Sequence, residues 1–235
     1  SADAQATWVY GRLGIHQVEM RAPTTAGTED AAFQLPNDLV PLVRPDGDVQ
    51  RENIWAWGTF YTNARVHLVS DSGNNRIKKC WTNSAGTSLL RCSVSQGVGT
   101  ATSHEFWGHP RTLAGQLHSA SGMAWLPGTN RLLVSDTPNT RIYVYDANGA
   151  YQGRFGGTDI SIGVTGIASF QDPSFGDAVA VLVGADITLP WPYTGDSSLR
   201  IYDGGGTLRH TFNLTYRTTG LAAPAIGLTT SNYPV

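Results

Sequence analysis

The chain has 235 residues, of which 40% are hydrophobic and only 14% are charged, and its formal net charge is −2. A nucleic-acid surface needs a basic patch, so the lack of any basic run excludes nucleic acid as a partner. No run of about 18 apolar residues occurs, so no membrane span is predicted. Seven Trp, nine Tyr and seven Phe supply core material, which favours one large folded domain over a disordered chain.

Two segments of the chain have nearly the same sequence. Residues 68–77 read Leu-Val-Ser-Asp-Ser-Gly-Asn-Asn-Arg-Ile, and residues 133–142 read Leu-Val-Ser-Asp-Thr-Pro-Asn-Thr-Arg-Ile. A repeated strand–turn–strand unit is typical of a stack or ring of similar sheets. We therefore predict an all-β fold of four-stranded units, here called blades, whose strands are lettered a to d from the centre outward.

The predicted elements follow one another in chain order. They are a lone outer strand over 7–13; a first blade over 38–107 with strands 38–43, 65–70, 76–81 and 104–107; a second blade over 122–155 with strands 122–126, 131–135, 141–146 and 150–155; a third blade over 165–213 with strands 165–170, 178–184, 199–203 and 208–213; and a further a strand over 218–228. The remaining long segments are predicted to be loops: 15–35, 44–63, 83–103 and 187–195.

This count gives one domain over 1–235, with about three full blades and partial blades at both ends. An open arc of blades leaves unpaired strand edges, which are costly. Three arrangements would relieve that cost: unrecognised strands in the loops that close the ring, a longer propeller of which this chain is a segment, or edges that pair with neighbouring copies.

The two repeated segments and the segment at 143–156 resemble NHL-repeat β-propellers. Residues 143–156 read Tyr-Val-Tyr-Asp-Ala-Asn-Gly-Ala-Tyr-Gln-Gly-Arg-Phe-Gly. In that family a strand ends in Ala/Ser-Asp, an Asn-containing turn follows, and Arg-Ile or Arg-Val opens the next strand. Residues 8–13 also resemble the outer strand that precedes such repeats in secreted microbial propellers. The resemblance implies a β-propeller fold of secreted or extracellular type. It implies function only weakly, because the family includes protein-, RNA- and glycan-binding propellers and a few lyases.

Certain polar residues recur at fixed positions of the blades, and they are either a ring of ligand-binding charges or structural groups. The positions are Asp71, Asn75, Arg76, Asp136, Asn139, Arg141 and Arg200. Recurrence in successive blades favours the structural interpretation, in which the carboxylate caps its own turn, the asparagine forms the turn and the arginine bridges neighbouring blades.

Cys80 and Cys92 flank a turn-rich tract and are either a disulfide or two free thiols. A disulfide would place the protein outside the cytosol. Asn213 opens the sequon Asn-Leu-Thr, which agrees with secretion but is also expected by chance in many chains of this length.

No catalytic constellation, metal site or cofactor is predicted. His104 and His109 are five residues apart, whereas a helical zinc motif needs its histidines four apart. His67 and His118 are able to approach the central axis, where lyases of the resembled family hold metal, but no repeat position supplies a third histidine there. Several carboxylates in the predicted loops could bind calcium or act as acid and base, but we favour the interpretation that they form a solvated face. They are Glu29, Asp30, Asp46, Asp48 and Glu52.

Four aromatic residues in the predicted loops are candidates for a binding surface. Trp55 and Trp57 alternate, and Trp191 and Tyr193 lie in a proline-broken insertion. If exposed, they form a platform for a sugar face or a protein partner; if buried, they cover the flank of a blade.

We therefore expect a secreted, non-enzymatic propeller that acts as a structural, assembly or binding module at the cell surface or outside the cell. It would be a repeating subunit of an extracellular fibre or surface layer, with self-association, other extracellular proteins and glycans as its partner classes. The alternatives are a propeller lyase or hydrolase acting on a peptide or carbohydrate, and a soluble carbohydrate-binding module.

Overall fold

The computed structural model describes residues 6–10, 16–21, 36–56, 58–72, 76–92, 106–107, 117, 120–137, 140–147, 149–160, 163–184 and 197–214. Apart from a short 3-10 helix at Gly157–Ile160, every regular element in these ranges is a β-strand. The strands are β1 (Ala6–Tyr10), β2 (His16–Arg21), β3 (Pro36–Pro41), β4 (Arg51–Ala56), β5 (Thr59–Asp71), β6 (Arg76–Thr82), β7 (Leu89–Cys92), β8 (Phe106–Trp107), β9 (Ala120–Leu126), β10 (Arg131–Asp136), β11 (Arg141–Asp146), β12 (Tyr151–Gly156), β13 (Val164–Asp172), β14 (Gly176–Val183), β15 (Ser197–Asp203) and β16 (Leu208–Leu214).

The chain divides into two compact units, and the single domain over 1–235 stays a prediction. The first unit comprises residues 1–120 with 148–150, and the second comprises residues 121–147 with 151–235. The second unit holds two four-stranded antiparallel sheets in the orders β9-β10-β11-β12 and β13-β14-β15-β16. Each sheet is an up-and-down meander, so the predicted all-β class built from four-stranded blades is confirmed.

The two sheets of the second unit share a hydrophobic core, and strand β14 shows how the sequence builds it. Val179, Val181 and Val183 point into a cluster that also receives Leu133 and Ile142 from the neighbouring sheet. The alternate residues of β14 face the opposite side and pack there with Phe170 and Ile201. Because side chains alternate across a strand, β14 is buried on both faces and reads as a continuous apolar run.

A buried aspartate also ties these two sheets together. Asp177, at the start of β14, accepts hydrogen bonds from the backbone N–H groups of Gly128 and Thr129 at 3.1 and 2.5 Å. Gln171 donates to the same carboxylate from the paired strand. Arg131 adds a second link between the sheets, because its guanidinium donates to the carbonyl of Gly204 at 3.3 Å. The turn between β9 and β10 is thus held by groups of the following sheet.

The first unit contains more strands than predicted, so three of the loop predictions are wrong. Its main sheet has the order β3-β5-β6-β7, with β4 also paired to β5 and β8 also paired to β6. Strand β4 and the first half of β5 occupy the predicted loop 44–63, and β7 lies in the predicted loop 83–103. The outer strand of this blade is therefore formed in two pieces, β7 and β8, instead of 104–107 alone.

The predicted strand over 7–13 is present as β1, but the prediction that it is a lone strand is wrong. It pairs with β2, which lies in the predicted loop 15–35, from Ala6 opposite Arg21 to Val9 opposite Val18. The predicted a strand over 218–228 and the insertion 187–195 lie outside the described residues.

Candidate functional site

The disulfide is the first predicted site that the structure settles. Cys80 on β6 and Cys92 on β7 are directly opposite each other in the antiparallel register and are joined by a disulfide bond. The turn between the two strands is braced by Asn83, whose side-chain oxygen accepts the backbone N–H of Thr87 at 2.7 Å. Of the two alternatives that the sequence left open, the structure therefore has the bridge.

The recurring Asp–Arg positions lie at matching places in two hairpins. Asp71 and Arg76 are opposite each other at the end of β5–β6, as are Asp136 and Arg141 at the end of β10–β11. Arg76 donates from Nε to Asp71 Oδ2 at 2.7 Å, and both side chains are buried. This ion pair lies within one blade. Arg200 donates instead to Ser198 on its own strand, and Asn75 and Asn139 lie outside the described residues.

The best candidate site is an exposed aromatic pair on the β4–β5 hairpin, which we call the aromatic ledge and define as Trp55 and Phe60. The two residues are opposite each other in the register, and their ring centroids are 5.4 Å apart. Their exposed fractions are 64% and 49%, which are the two highest among the large hydrophobic residues of the described chain. The structure therefore answers for Trp55 the question that the sequence left open: it is exposed.

Alternation along β4 explains how the ledge is presented. Arg51, Asn53 and Trp55 are exposed, whereas Glu52, Ile54 and Ala56 turn inward. The outward face of the hairpin is thus polar at one end and aromatic at the other.

A polar network anchors this hairpin to strands β6 and β7. The Glu52 carboxylate accepts hydrogen bonds from Lys79 at 2.7 Å and from the Trp81 indole at 2.9 Å. Burial raises the pKa of Glu52, but these hydrogen bonds and the Lys79 charge outweigh it, so the pKa lies below the ordinary 4.5. Arg91 donates to the backbone carbonyl of Trp55 at 3.4 Å. Because the base of the hairpin is tied down in this way, the ledge is carried on a fixed support.

Of the four histidines considered above as metal ligands, the structure describes only His67. It is buried on β5, and its Nε2 lies 3.1 Å from the Thr82 hydroxyl. Its Nδ1 has no hydrogen-bond partner among the described residues. Burial, aided by the Arg65 charge, lowers the pKa of His67 from 6.5 to about 4. Within the described ranges no three His, Cys, Asp or Glu side chains converge on a metal position, and His104, His109 and His118 lie outside those ranges.

The buried imidazole predicts a pH dependence of stability. Because the pKa of His67 is lowered on folding, protons bind preferentially to the unfolded chain. The free energy of unfolding should therefore be highest above pH 6.5, where His67 is mostly neutral in both states, and should fall as the pH is lowered towards 4. Between about pH 7 and pH 5 we expect a loss of about 2 kcal/mol. Urea unfolding across this range should show the loss in the native chain and not in His67→Gln. An equal pH dependence in both proteins would contradict it. Glu52 does not interfere, because its lowered pKa confines its effect to still lower pH.

Other predicted positions have simpler surroundings. Asn213 is exposed on β16, as a glycosylated asparagine must be. Asp46 and Asp48 are exposed and lie 3.7 and 3.6 Å from Arg44. The remaining predicted residues lie outside the described ranges: Glu29, Asp30, Trp57, Trp191 and Tyr193.

Comparison with known proteins adds little to these observations. No protein-family model matches the chain, and no curated protein matches it in sequence. Among solved structures it is similar to the RRP9 WD40 repeats (14% identity, TM-score 0.41, covering 81% of this chain and 47% of that one), to the Dos1 propeller (13%, 0.45, 92% and 44%) and to the Neurospora crassa Pan2 WD40 domain (10%, 0.37, 92% and 61%). The chain thus spans less than two thirds of the length of each of these structures.

These likenesses say nothing about activity, substrate or partner. The class of the chain is given by its own sheets: it is an all-β protein built from four-stranded, antiparallel blades of the β-propeller type. No helix in the described part of the chain has the length and apolar character that crossing a membrane requires.

Sequence reasoning missed two features of the site. It did not bring Phe60 together with Trp55, because the prediction of a loop over 44–63 contains no β4–β5 hairpin. It also passed over Arg51 and Arg65, which are opposite each other in the same hairpin. The sequence of 51–56, Arg-Glu-Asn-Ile-Trp-Ala, does not alternate between polar and apolar residues, so it carries no clear strand signal.

Proposed function

We propose that this chain is a non-enzymatic binding module of the extracellular space, and that the aromatic ledge is its contact surface for a saccharide. The observation that carries the proposal is the exposure of Trp55 beside Phe60 on an anchored hairpin. Aromatic side chains give a large apolar contact area at low entropic cost, and the apolar C–H face of a sugar ring packs well on such a surface.

The extracellular assignment is part of the same proposal. It is supported by the Cys80–Cys92 disulfide, since such bonds persist in oxidising compartments. The exposure of Asn213 supports glycosylation at that sequon. Membership of the NHL family remains part of the proposal and is supported by the matching Asp–Arg positions at the ends of β5–β6 and β10–β11.

A glycan array tests the ledge directly. Trp55→Ala should weaken binding to the recognised glycans by about thirtyfold or more, because truncating a central contact residue costs at least about 2 kcal/mol. Folding should be unaffected, since the side chain is exposed. Leu208→Ala is the matched control, because Leu208 is also an exposed apolar residue, 37% accessible, on a different sheet. An unchanged array profile for Trp55→Ala would overturn the proposal.

Assembly of copies into a fibre or surface layer is the second candidate, and a different observation favours it. Strand β16 is last in its sheet, and Leu208 to Thr211 are all exposed. An exposed outer strand is a template for pairing with another chain. Sedimentation should then show concentration-dependent association that Thr211→Lys abolishes by placing a charge on the strand. A monomer at every concentration would rule this candidate out.

A further inference from the structure

Two arginines on the outward face of the β4–β5 hairpin form an unusual pair. Arg51 on β4 and Arg65 on β5 are directly opposite each other in the register. Like charges directly opposite each other on neighbouring strands are destabilising. Neither guanidinium is in an ion pair with a carboxylate within the described part of the chain. Among the residues that the structure describes, two positive charges are therefore held together without an acidic side chain between them.

Both guanidinium groups are fixed on the same backbone oxygen. Arg65 donates from Nε to the carbonyl of Ser84 at 2.9 Å, and Arg51 donates from Nη1 to the same oxygen at 3.3 Å. That carbonyl belongs to the turn between β6 and β7, which the Asn83 side chain braces. Because one acceptor holds both groups, the two cations lie side by side and in a fixed orientation.

The neighbouring turn leaves room for this arrangement. Gly86 has a φ of +79°, and a Cβ atom there would lie 2.9 Å from Nη1 of Arg65. A glycine at this position thus suits the turn and also the space that the guanidinium occupies. Each guanidinium carries five donors, and the bonds to backbone carbonyls use only some of them.

We propose that Arg51 and Arg65 form a binding site for a tetrahedral oxyanion, with the sulfate ester of a saccharide as its source. Planar guanidinium groups match such oxygens with paired hydrogen bonds. An anion would also remove the repulsion between the two arginines. The saccharide part rests on the proposed function: Arg51 and Trp55 share the exposed face of β4 and are separated by about 13 Å of strand, so one oligosaccharide is able to reach both.

Inorganic sulfate is the first probe, titrated against the full chain at constant ionic strength while the Nε–H resonances of the arginines are followed by NMR. We expect saturable shifts at Arg51 and Arg65.

Arg51→Gln or Arg65→Gln should weaken the affinity for sulfate about tenfold, as expected for loss of hydrogen bonds to a charged group. Arg65→Lys should have an intermediate effect, because lysine keeps the positive charge but lacks the planar, paired N–H donors of a guanidinium group. Arg154→Gln, at an exposed arginine of β12, is the matched control. Shifts that do not saturate, or equal shifts at Arg154, would overturn the oxyanion site.

A chondroitin sulfate hexasaccharide and its desulfated form then test the source of the anion. The sulfated form should bind at least about tenfold more tightly, and Arg51→Gln should remove that preference. Equal binding of the two forms would overturn the sulfate ester as the source. Loss of binding in Arg51→Gln without any effect of Trp55→Ala would leave the oxyanion site standing and refute the aromatic ledge, so the two proposals fail separately.

Discussion

Replacing Arg76 with alanine is expected to lower the free energy of unfolding by about 3–5 kcal/mol, the usual cost of leaving a buried charge without its partner. Asp71 is fully buried, and Arg76 is only 6% exposed. Their side chains meet at 2.7 Å at the end of the β5–β6 hairpin. Once the guanidinium is removed, the buried carboxylate must either stay charged in a poorly solvating environment or take up a proton, and both cost free energy. Urea denaturation at neutral pH measures the loss.

Arg44 provides the matched control for this experiment. It also contacts acidic residues, Asp46 and Asp48, but all three side chains are largely exposed. Because water screens such pairs, Arg44→Ala should cost less than about 1 kcal/mol. The double variant Asp71→Ala/Arg76→Ala should cost less than the sum of the two single changes, since the residues are coupled. Equal effects of Arg44→Ala and Arg76→Ala would contradict the structural role of the recurring Asp–Arg positions.

Removing the disulfide should have the second largest effect. The bridge closes a loop between cysteines 12 residues apart, and the loss of this constraint on the unfolded chain corresponds to about 3 kcal/mol. Cys80→Ala/Cys92→Ala should therefore unfold at a lower urea concentration than the oxidised native chain. Alanine is used because Cys80 is fully buried and a serine hydroxyl there would need a hydrogen-bond partner.

Reduction of the native chain is the internal control for the disulfide. Under strong reductant, the native chain and the double alanine variant should unfold at similar urea concentrations, whereas without reductant they should differ. If the oxidised native chain and the variant unfold together, the bridge contributes nothing to stability, and the assignment to an oxidising compartment loses its main support.

The sequence predicted the second unit well because its signals are local. The strand predicted over 141–146 is β11 with the same bounds, and the other strands of the two sheets differ from their predicted bounds by at most two residues. Alternating apolar residues define these strands, and turn-forming residues such as Gly149, with a φ of +83°, separate them. No long-range information was needed to find them.

The first unit was harder to predict because its strands depend on partners elsewhere in the chain. Strand β7 has only four residues and is fixed by pairing with β6 and by the bond from Cys92 to Cys80. Strand β4 begins with three polar residues in a row, Arg51, Glu52 and Asn53, so its sequence resembles a loop. The pairing of Arg51 with Arg65 also depends on a register shift between Glu52 and Ile54. A shift of this kind is set by the assembled sheet and leaves no clear mark in the sequence.

The most direct test of the aromatic ledge is to follow the tryptophan indole N–H resonances of the ¹⁵N-labelled chain while a glycan that it recognises is added. We predict that the Trp55 resonance moves most. Trp81 and Trp125, which are 5% and 4% exposed, should hardly change. A recognised glycan that leaves Trp55 unmoved, or that perturbs the buried indoles more strongly, would contradict the account.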